Sequence, residues 1–453
     1  MSGLLSSLLN ATGALRTFDR ALATTQNNVA NASTPGYARQ RLTLLAQPFQ
    51  PESGIMGGVS PGAVQTARDD WAEQSVRRNL NEFGRAAQFQ AGMERLEPLF
   101  STDGETGVPG AINELFQSFS ALSVTPNDGT ARREVLARAY ELAGRIRETA
   151  ASLSEAHASL DGELRNAADA VNRIAASIAD ANRSISGDFR TTTDPNLDAN
   201  MHAALERLAE YTDYTALRQE DGRVTILLGG GRTQLVMGDE SYPIGVDTGS
   251  GTARVLDGSG RDITDQIGSG SVRGLIDLKN GAFPEYEAGL DSLAAGLAGT
   301  INAVLAGGLD QAGDPGAPLF AVDGPGGAAR NLRVVMSDPA SLAAARGSAG
   351  GNGNALDLAA LANSRAIDDL TFTAFYGNLG AKAGRALSDA RGERENRELT
   401  LTQSRTLRDE ASRVSLDEEA VNLIEFQRAY QAAAKLITVL DELTQTTLDM
   451  LRR

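Results

Sequence analysis

From Leu4 to Val29, residues suited to a packed seam recur at alternating spacings of four and three: Leu4, Leu8, Ala11, Leu15, Phe18, Leu22, Thr25 and Val29. Near the other end Leu416, Ala420, Leu423, Phe426, Tyr430, Ala433, Ile437 and Leu440 repeat the pattern. Heptad spacing held over several repeats is the signature of a helix packed along one stripe against another helix. These two stripes constrain the chain more than any other feature, because both extremities must then be helices that need covering.

The need is energetic. Six large apolar side chains on the first stripe give on the order of 10 kcal/mol when buried, at roughly 1.5–3 kcal/mol each. Fixing about 26 backbones costs more, at ~1–2 kcal/mol apiece, and helix hydrogen bonding offsets the difference only in part. The partner is either the C-terminal helix of the same chain or copies of it.

Between the ends, helical signals dominate to about residue 217. Ile112, Leu115, Phe116, Phe119 and Leu122 share one face of a helix that Pro126 ends. Residues 130–185 contain little that would break a helix and read as one long helix or a pair. Residues 45–68 are rich in Pro, Gly and Ser and read as loop or short strands. After 218 the runs GRVTILLGGGRTQLVMG, YPIGVDTG, ARVLDGSGRDITDQI and SVRGLIDL read as short β segments in a small module. Helix returns at 284–306, where Leu290, Leu293, Leu297, Ile301 and Val304 predict an amphipathic helix rather than a membrane span. A strand is expected at 332–336, and helix again from 355. The predicted fold class is mainly α with a β-rich insert. The expected organisation is an inner coiled-coil-like domain from 1–44 and 405–453, a helical rod from 45–217 and 355–404, and an outer β-rich module at 218–354, far from both ends.

Chemistry of the usual kinds is sparse. The chain has 453 residues and no cysteine, which removes disulfides, thiolate nucleophiles and Cys-based zinc sites. Its 42 basic and 58 acidic residues give a formal charge of −16, which argues against a general nucleic-acid binder and against docking on anionic membranes. His157 and His202 each stand in a polar helical context and are expected to be solvated. Asp194, Asn196, Asp198 and Asn200 alternate as in a calcium loop. Ala199 replaces the required Gly and Glu206 falls one place late, so Asp194 is better read as the N-cap of the next helix. The glycines at 229–231 link two strand-like runs and predict a hairpin, not a phosphate cradle. No catalytic, cofactor or metal residues are expected.

One short stretch is specific. In NNVANASTPGYARQR, residues 27–41, Asn28 and Asn31 supply capping chemistry, and Pro35-Gly36 fits a turn with Pro second and Gly third. The match at Asn28, Asn31, Ala32, Thr34, Pro35, Gly36 and Tyr37 closely resembles the N-terminal signature of the bacterial flagellar axial proteins (rod, hook and hook-associated proteins). The closing segment resembles the same family at Glu419, Asn422, Leu423, Gln427, Tyr430, Ala432 and Ala433. The middle resembles the hook-associated members of that family. The resemblance implies a structural, non-enzymatic part that joins hook to filament as a ring of copies. Its implied partners are the hook protein, the next hook-associated protein, further copies of the chain and an export chaperone, with no nucleic acid and no membrane insertion. It also implies an extracellular place in the flagellum, reached by type III export. This fits an N-terminus that lacks a basic n-region and a cleavage signature.

On this reading the assembly interface comprises Leu4, Leu8, Leu15, Phe18, Leu22, Val29, Leu423, Phe426, Tyr430, Ala433, Ile437 and Leu440, with the end helices gaining order as copies join. Other axial parts, such as a hook or distal rod protein, are the alternative, followed by a secreted adhesin or effector, and an enzyme built on the β-rich module.

Overall fold

The computed structural model describes residues 2–50, 55–100, 107–187, 194–249 and 251–451. The chain is mainly α-helical with small antiparallel sheets, and it divides into two compact units.

The first unit comprises Met1–Leu80, Asn172–Tyr242 and Leu399–Arg453. It holds helix α1 (Ser2–Ala30), the hairpin β1 (Gln40–Gln50) and β2 (Ile55–Thr66), and the start of α2 (Asp70–Leu96). The end of α4 (Gly129–Gly187), helix α5 (Pro195–Tyr211) and the strands β3 (Tyr214–Arg218), β4 (Val224–Leu228), β5 (Thr233–Met237) and β6 (Glu240–Ser241) follow. The end of α10 (Phe372–Ser412) and α11 (Leu416–Leu451) complete it.

Two expectations change here. Residues 45–68, read as loop or short strands, instead belong largely to one long hairpin, with Gln40 opposite Thr66 and Gln50 opposite Ile55. The prolines that suggested a loop are tolerated because each strand of a two-stranded ribbon is an edge strand, where the missing N–H costs no ladder bond. The four-stranded sheet β3–β6, expected in an outer module far from the termini, belongs to the same unit as the terminal helices. Its attachment is polar. The buried Asn182 of α4 donates to the carbonyls of Val224 and Gly238 at 2.8 and 2.6 Å and accepts the Val224 N–H at 2.9 Å. The compact units are therefore cut differently from the segments read from composition, with divisions inside α2, α4 and α10 and between 242 and 243.

The second unit comprises Asn81–Val171 and Pro243–Glu398. It contains α3 (Val108–Val124), the pair β7 (Gly245–Asp247) and β8 (Arg254–Leu256), α6 (Gly270–Asp277) and α7 (Phe283–Ala306). The short pieces β9 (Phe320–Ala321), α8 (Ala328–Asn331) and β10 (Arg333–Val334) precede α9 (Gly353–Ala360). The core is aromatic at its centre. Phe100 lies 5.2 Å from Tyr286 and 6.0 Å from Tyr376, and Phe116 stacks on Phe372 at 6.1 Å. All five predicted face residues of α3, Ile112 to Leu122, are buried. SVRGLIDL, read as strand, is instead helix α6. Gly274 lets it approach α2 so closely that a Cβ would stand 2.7 Å from the Arg85 carbonyl. Packing of this kind overrides weak local preference. A π-turn, Leu278–Ala282, joins α6 to α7. The combined run Gly270–Ala306 is long and apolar enough to cross a membrane, but Leu290, Leu293, Leu297, Ile301 and Leu305 are core residues of this unit.

Helix α4 is one helix of 59 residues, not a pair. No proline interrupts it, and Asp128 caps its start by accepting the Thr130 N–H at 2.8 Å. Asn182→Ala is expected to take the side-chain partner from the Val224 N–H and the Val224 and Gly238 carbonyls, lowering stability by about 1–3 kcal/mol. Thermal unfolding of the purified variant measures this.

Candidate functional site

Helices α1 and α11 pack along each other within one chain. On α11 the inward positions are Glu419, Leu423, Phe426, Tyr430, Ala433, Ile437 and Leu440, so the predicted stripe from Leu423 onward is the face turned to α1. Leu416 and Ala420 point outward instead. On α1 the fully buried residues are Ala11, Thr17, Ala21, Thr25 and Asn28. These are small or polar; Ala11 and Thr25 belong to the predicted stripe, whereas Thr17, Ala21 and Asn28 lie to one side of it. The reason is that α1 is covered by two neighbours, α11 and the hairpin β1–β2. Leu4, Leu8, Leu15, Phe18 and Leu22 are consequently only half-buried, and Val29 is exposed. The seams meet inside the chain rather than standing free for neighbouring copies.

The predicted turn motif sits where these elements converge. Helix α1 ends at Ala30, and the side-chain amide of Asn31 just beyond it donates to the Asn27 carbonyl at 3.0 Å. Tyr37 N–H then closes the turn on the Thr34 carbonyl at 3.1 Å, with Gly36 at φ +76°. That is the type II geometry, which needs φ > 0 at its third position. Gly36 is required twice over, because a Cβ there would stand 2.4 Å from the Ala199 carbonyl on α5. Ala32 is half-buried beside the turn, while Thr34 and Pro35 are exposed.

Asn28 does not cap the helix as expected. Its amide donates to the Gln40 carbonyl at 2.9 Å and to Glu419 Oε2 at 3.1 Å, and its oxygen accepts the Gln40 N–H at 2.9 Å and the Tyr37 hydroxyl at 2.9 Å. Burial first, and then the Glu419 carboxylate, push the Tyr37 hydroxyl up to about 12, so it stays a donor. Glu419 is 1 % exposed and also accepts Arg39 Nε at 2.6 Å. One carboxamide thus joins the end of α1, the first residue of β1 and the start of α11. Arg39 and Gln40 carried no separable signal in the sequence. Glu419 stood out only as a family match.

Behind the turn lies a second polar cluster. Arg68 is nearly buried and reaches the Gly36 carbonyl, Glu73 and Asp198 at 2.6, 2.6 and 2.9 Å. Burial raises the Asp198 carboxyl, but Arg68 and Arg218 outweigh it and hold it below its ordinary range. His202, expected to be solvated, is 6 % exposed. Burial, reinforced by Arg68, pushes its imidazole down to about 3 despite the nearby Asp198. His157 is also covered. It stacks on Phe283 and bridges Glu287 and the Lys279 carbonyl at 3.0 and 2.9 Å. Asp194 accepts the Asn196 N–H at 2.9 Å as an N-cap of α5. Among the described residues, no group of three or more His, Cys, Asp and Glu side chains is placed to hold a metal.

Asn28→Ala is expected to cost about 1–3 kcal/mol, because it takes the side-chain partner from the buried Gln40 backbone and from Glu419 Oε2. Adding Glu419→Ala should cost less than the two single losses summed, since both groups belong to one network. Denaturant unfolding of the four proteins tests this. The His202 value lies below the ordinary 6.5, so the unfolded chain binds that proton more tightly. This contribution to stability is complete above about pH 6.5 and falls as pH drops toward 3. His202→Gln should therefore lose up to about 1 kcal/mol less than the parent per pH unit across that window. Asp198 adds a loss of the same sign to both proteins. Melting curves from pH 7 to pH 4 compare them.

Comparison with known proteins places this geometry. Residues 93–320 match the family profile of the flagellar hook-associated protein FlgK helical domain. Residues 8–37 match that of the flagella basal body rod protein, and 406–450 that of the flagellar basal body rod FlgEFG protein C-terminal part. Flagellar hook-associated protein 1 of Bacillus subtilis is 26% identical over 494 aligned positions, which cover 98% of this chain and 97% of that protein. The protein of the same name from Salmonella typhimurium is 24% identical over 71% of this chain, and the match spans 60% of that relative. The flagellar hook junction protein FlgK of Burkholderia pseudomallei superposes with a TM-score of 0.67 at 14% identity, covering 74% of this chain and 99% of that one. Because the FlgK profile spans about half of the sequence, between two termini that match axial profiles, the chain belongs to the flagellar hook-associated protein FlgK family.

Proposed function

We propose that this protein is a structural subunit of the bacterial flagellum, set between hook and filament as a ring of copies held through the terminal helices. The observation that carries this reading is the apolar surface left open on the α1–α11 pair. Val421, Ile424, Leu436, Val439, Leu443 and Met450 form a stripe on α11 turned away from its seam, and each is exposed. Leu9 and Val29 are exposed on α1. Exposed apolar stripes of this extent mark an interface.

Magnitudes favour assembly over isolated pairing. Six such residues supply on the order of 10 kcal/mol if covered, against an association cost of about 4–15 kcal/mol. One contact is weak, whereas a ring gives each subunit two neighbours and contacts to the layers on either side. In this reading the seam residues Leu4 to Val29 and Leu423 to Leu440 hold the two helices together, and their half-covered flanks are completed by neighbours. The turn from Asn31 to Tyr37 fixes where the chain leaves the pair.

The partners are copies of the chain, the hook subunit on one side and the next hook-associated protein on the other, with an export chaperone before assembly. The protein acts outside the cell after type III export, needs no cofactor and carries no catalytic activity. A hook or distal rod subunit would share the terminal matches, and the match at 93–320 favours the hook-associated role.

Val439→Asp places a charge on the outer face of α11 and touches no seam residue. The purified variant should keep the helical circular dichroism of the parent yet fail to enter flagella, so that cells release filament protein instead of retaining filaments. Normal incorporation, scored by immunoblot of isolated flagella, would sink the proposal.

A further inference from the structure

In the second unit, both ring nitrogens of His157 face acceptors. Nδ1 lies 3.0 Å from Glu287 Oε1, and Nε2 lies 2.9 Å from the Lys279 carbonyl. A neutral imidazole has one N–H and one bare nitrogen, so it serves one of the two. An imidazolium serves both.

The carbonyl has the stronger claim. Within the π-turn the Phe283 N–H goes to the Leu278 carbonyl. Pro284, the next residue in line for Lys279, has no N–H to give. The helix therefore leaves the Lys279 carbonyl without its own partner, and His157 supplies one from α4. This fixes Nε2 as a donor in either charge state. The proton that comes and goes is the one on Nδ1, opposite the Glu287 carboxylate.

The surroundings suit a charge that is gained and lost. Glu287 and Asp291 face the site from α7, Asp161 from α4, Lys279 from the π-turn and Arg330 from α8. Two cations thus stand against three carboxylates, and an imidazolium balances them. The Phe283 ring lies 5.6 Å away and nearly parallel, and the face of an aromatic ring attracts a cation. A cavity of about 400 Å³ runs beside His157 and gives solvent a way in.

We infer that His157 is a proton-operated fastening, closed when the ring is charged and loosened when Nδ1 is bare. In the neutral ring the Nδ1 lone pair faces a carboxylate oxygen, so one bond is replaced by a repulsion. The contact joins α4 to the π-turn between α6 and α7. The same turn grips Ala253, ahead of β8, through both ends of the Asn280 carboxamide at 2.7 and 2.8 Å. Mild acid therefore tightens the joint of these elements, and alkali loosens it.

Hydrogen exchange on the full-length protein tests this at about pH 5.5 and about pH 8.5, on either side of the range where a histidine changes charge. Rates are corrected for the exchange of an unstructured amide at each pH. Protection of 278–283 is expected to fall about tenfold at the higher pH, the loss of one hydrogen bond. Protection of 112–122 in α3 should not change. His202 does not confuse the result, because burial pushes it down to about 3 and it stays neutral throughout. Glu287→Gln and His157→Gln should each abolish the pH dependence. Constant protection in the parent would overturn the inference, as would a pH dependence that survives in Glu287→Gln. Nitrogen-15 NMR of the parent decides the matter without any variant, since the chain has two histidines. Both His157 nitrogens should carry hydrogen at the lower pH and Nε2 alone at the higher, and a bare Nε2 at the higher pH would sink the proposal.

Discussion

Asn28 stands where three segments far apart in sequence must meet, and its carboxamide can donate and accept at once. It engages Gln40 twelve positions on and Glu419 a further 379 positions away. A charged side chain in its place would add a desolvation penalty, and a hydrocarbon would leave one oxygen of the buried Glu419 carboxylate and the Gln40 backbone without this partner. The terminal helices can therefore pair in one register, with the hairpin leaving at one angle. The half-covered leucines, the exposed face of α11 and the exposed ribbon all take their positions from that registry.

Around this point the division of labour is physical. Apolar stripes supply most of the attraction between the end helices but little choice of register, because a heptad seam fits again after a shift of seven residues. The polar contacts supply that choice. Asn28 and Arg39 with Glu419 are satisfied in one alignment of α11 only. Buried polar groups used in this way trade net stability for uniqueness.

What could be read from sequence follows from the range of the forces involved. The stripe from Leu423 to Leu440, the face from Ile112 to Leu122 and the amphipathic helix at 283–306 are set by periodicity within one element, and these stood out. The Thr-Pro-Gly-Tyr turn is equally local. The hairpin at 40–66 was obscured because its Pro and Gly signals mean loop in a central strand and are harmless at an edge. SVRGLIDL is too short for its period to decide between strand and helix, and contact with α2 decides it. His202 could not be placed, since its burial comes from tertiary packing that no local pattern announces. The attachment of β3–β6 to α4 runs through Asn182, one residue in a helix of 59, which no local pattern marks. Glu419 marks the limit: nothing local distinguishes it from its neighbours Asp417 and Glu418, yet only it reaches Asn28.

The open stripe on α11 also has a colloidal consequence. A chain carrying a formal charge of −16 repels its copies at long range, whereas the stripe attracts them only on contact. At physiological salt the repulsion is cut off beyond about 8 Å, so dissolved molecules stay dispersed when dilute and approach one another more readily as salt rises. The threshold concentration for gathering is thus set by the medium as much as by the fold. A growing structure that presents many stripes at once lowers that threshold locally, without any change in the individual molecule.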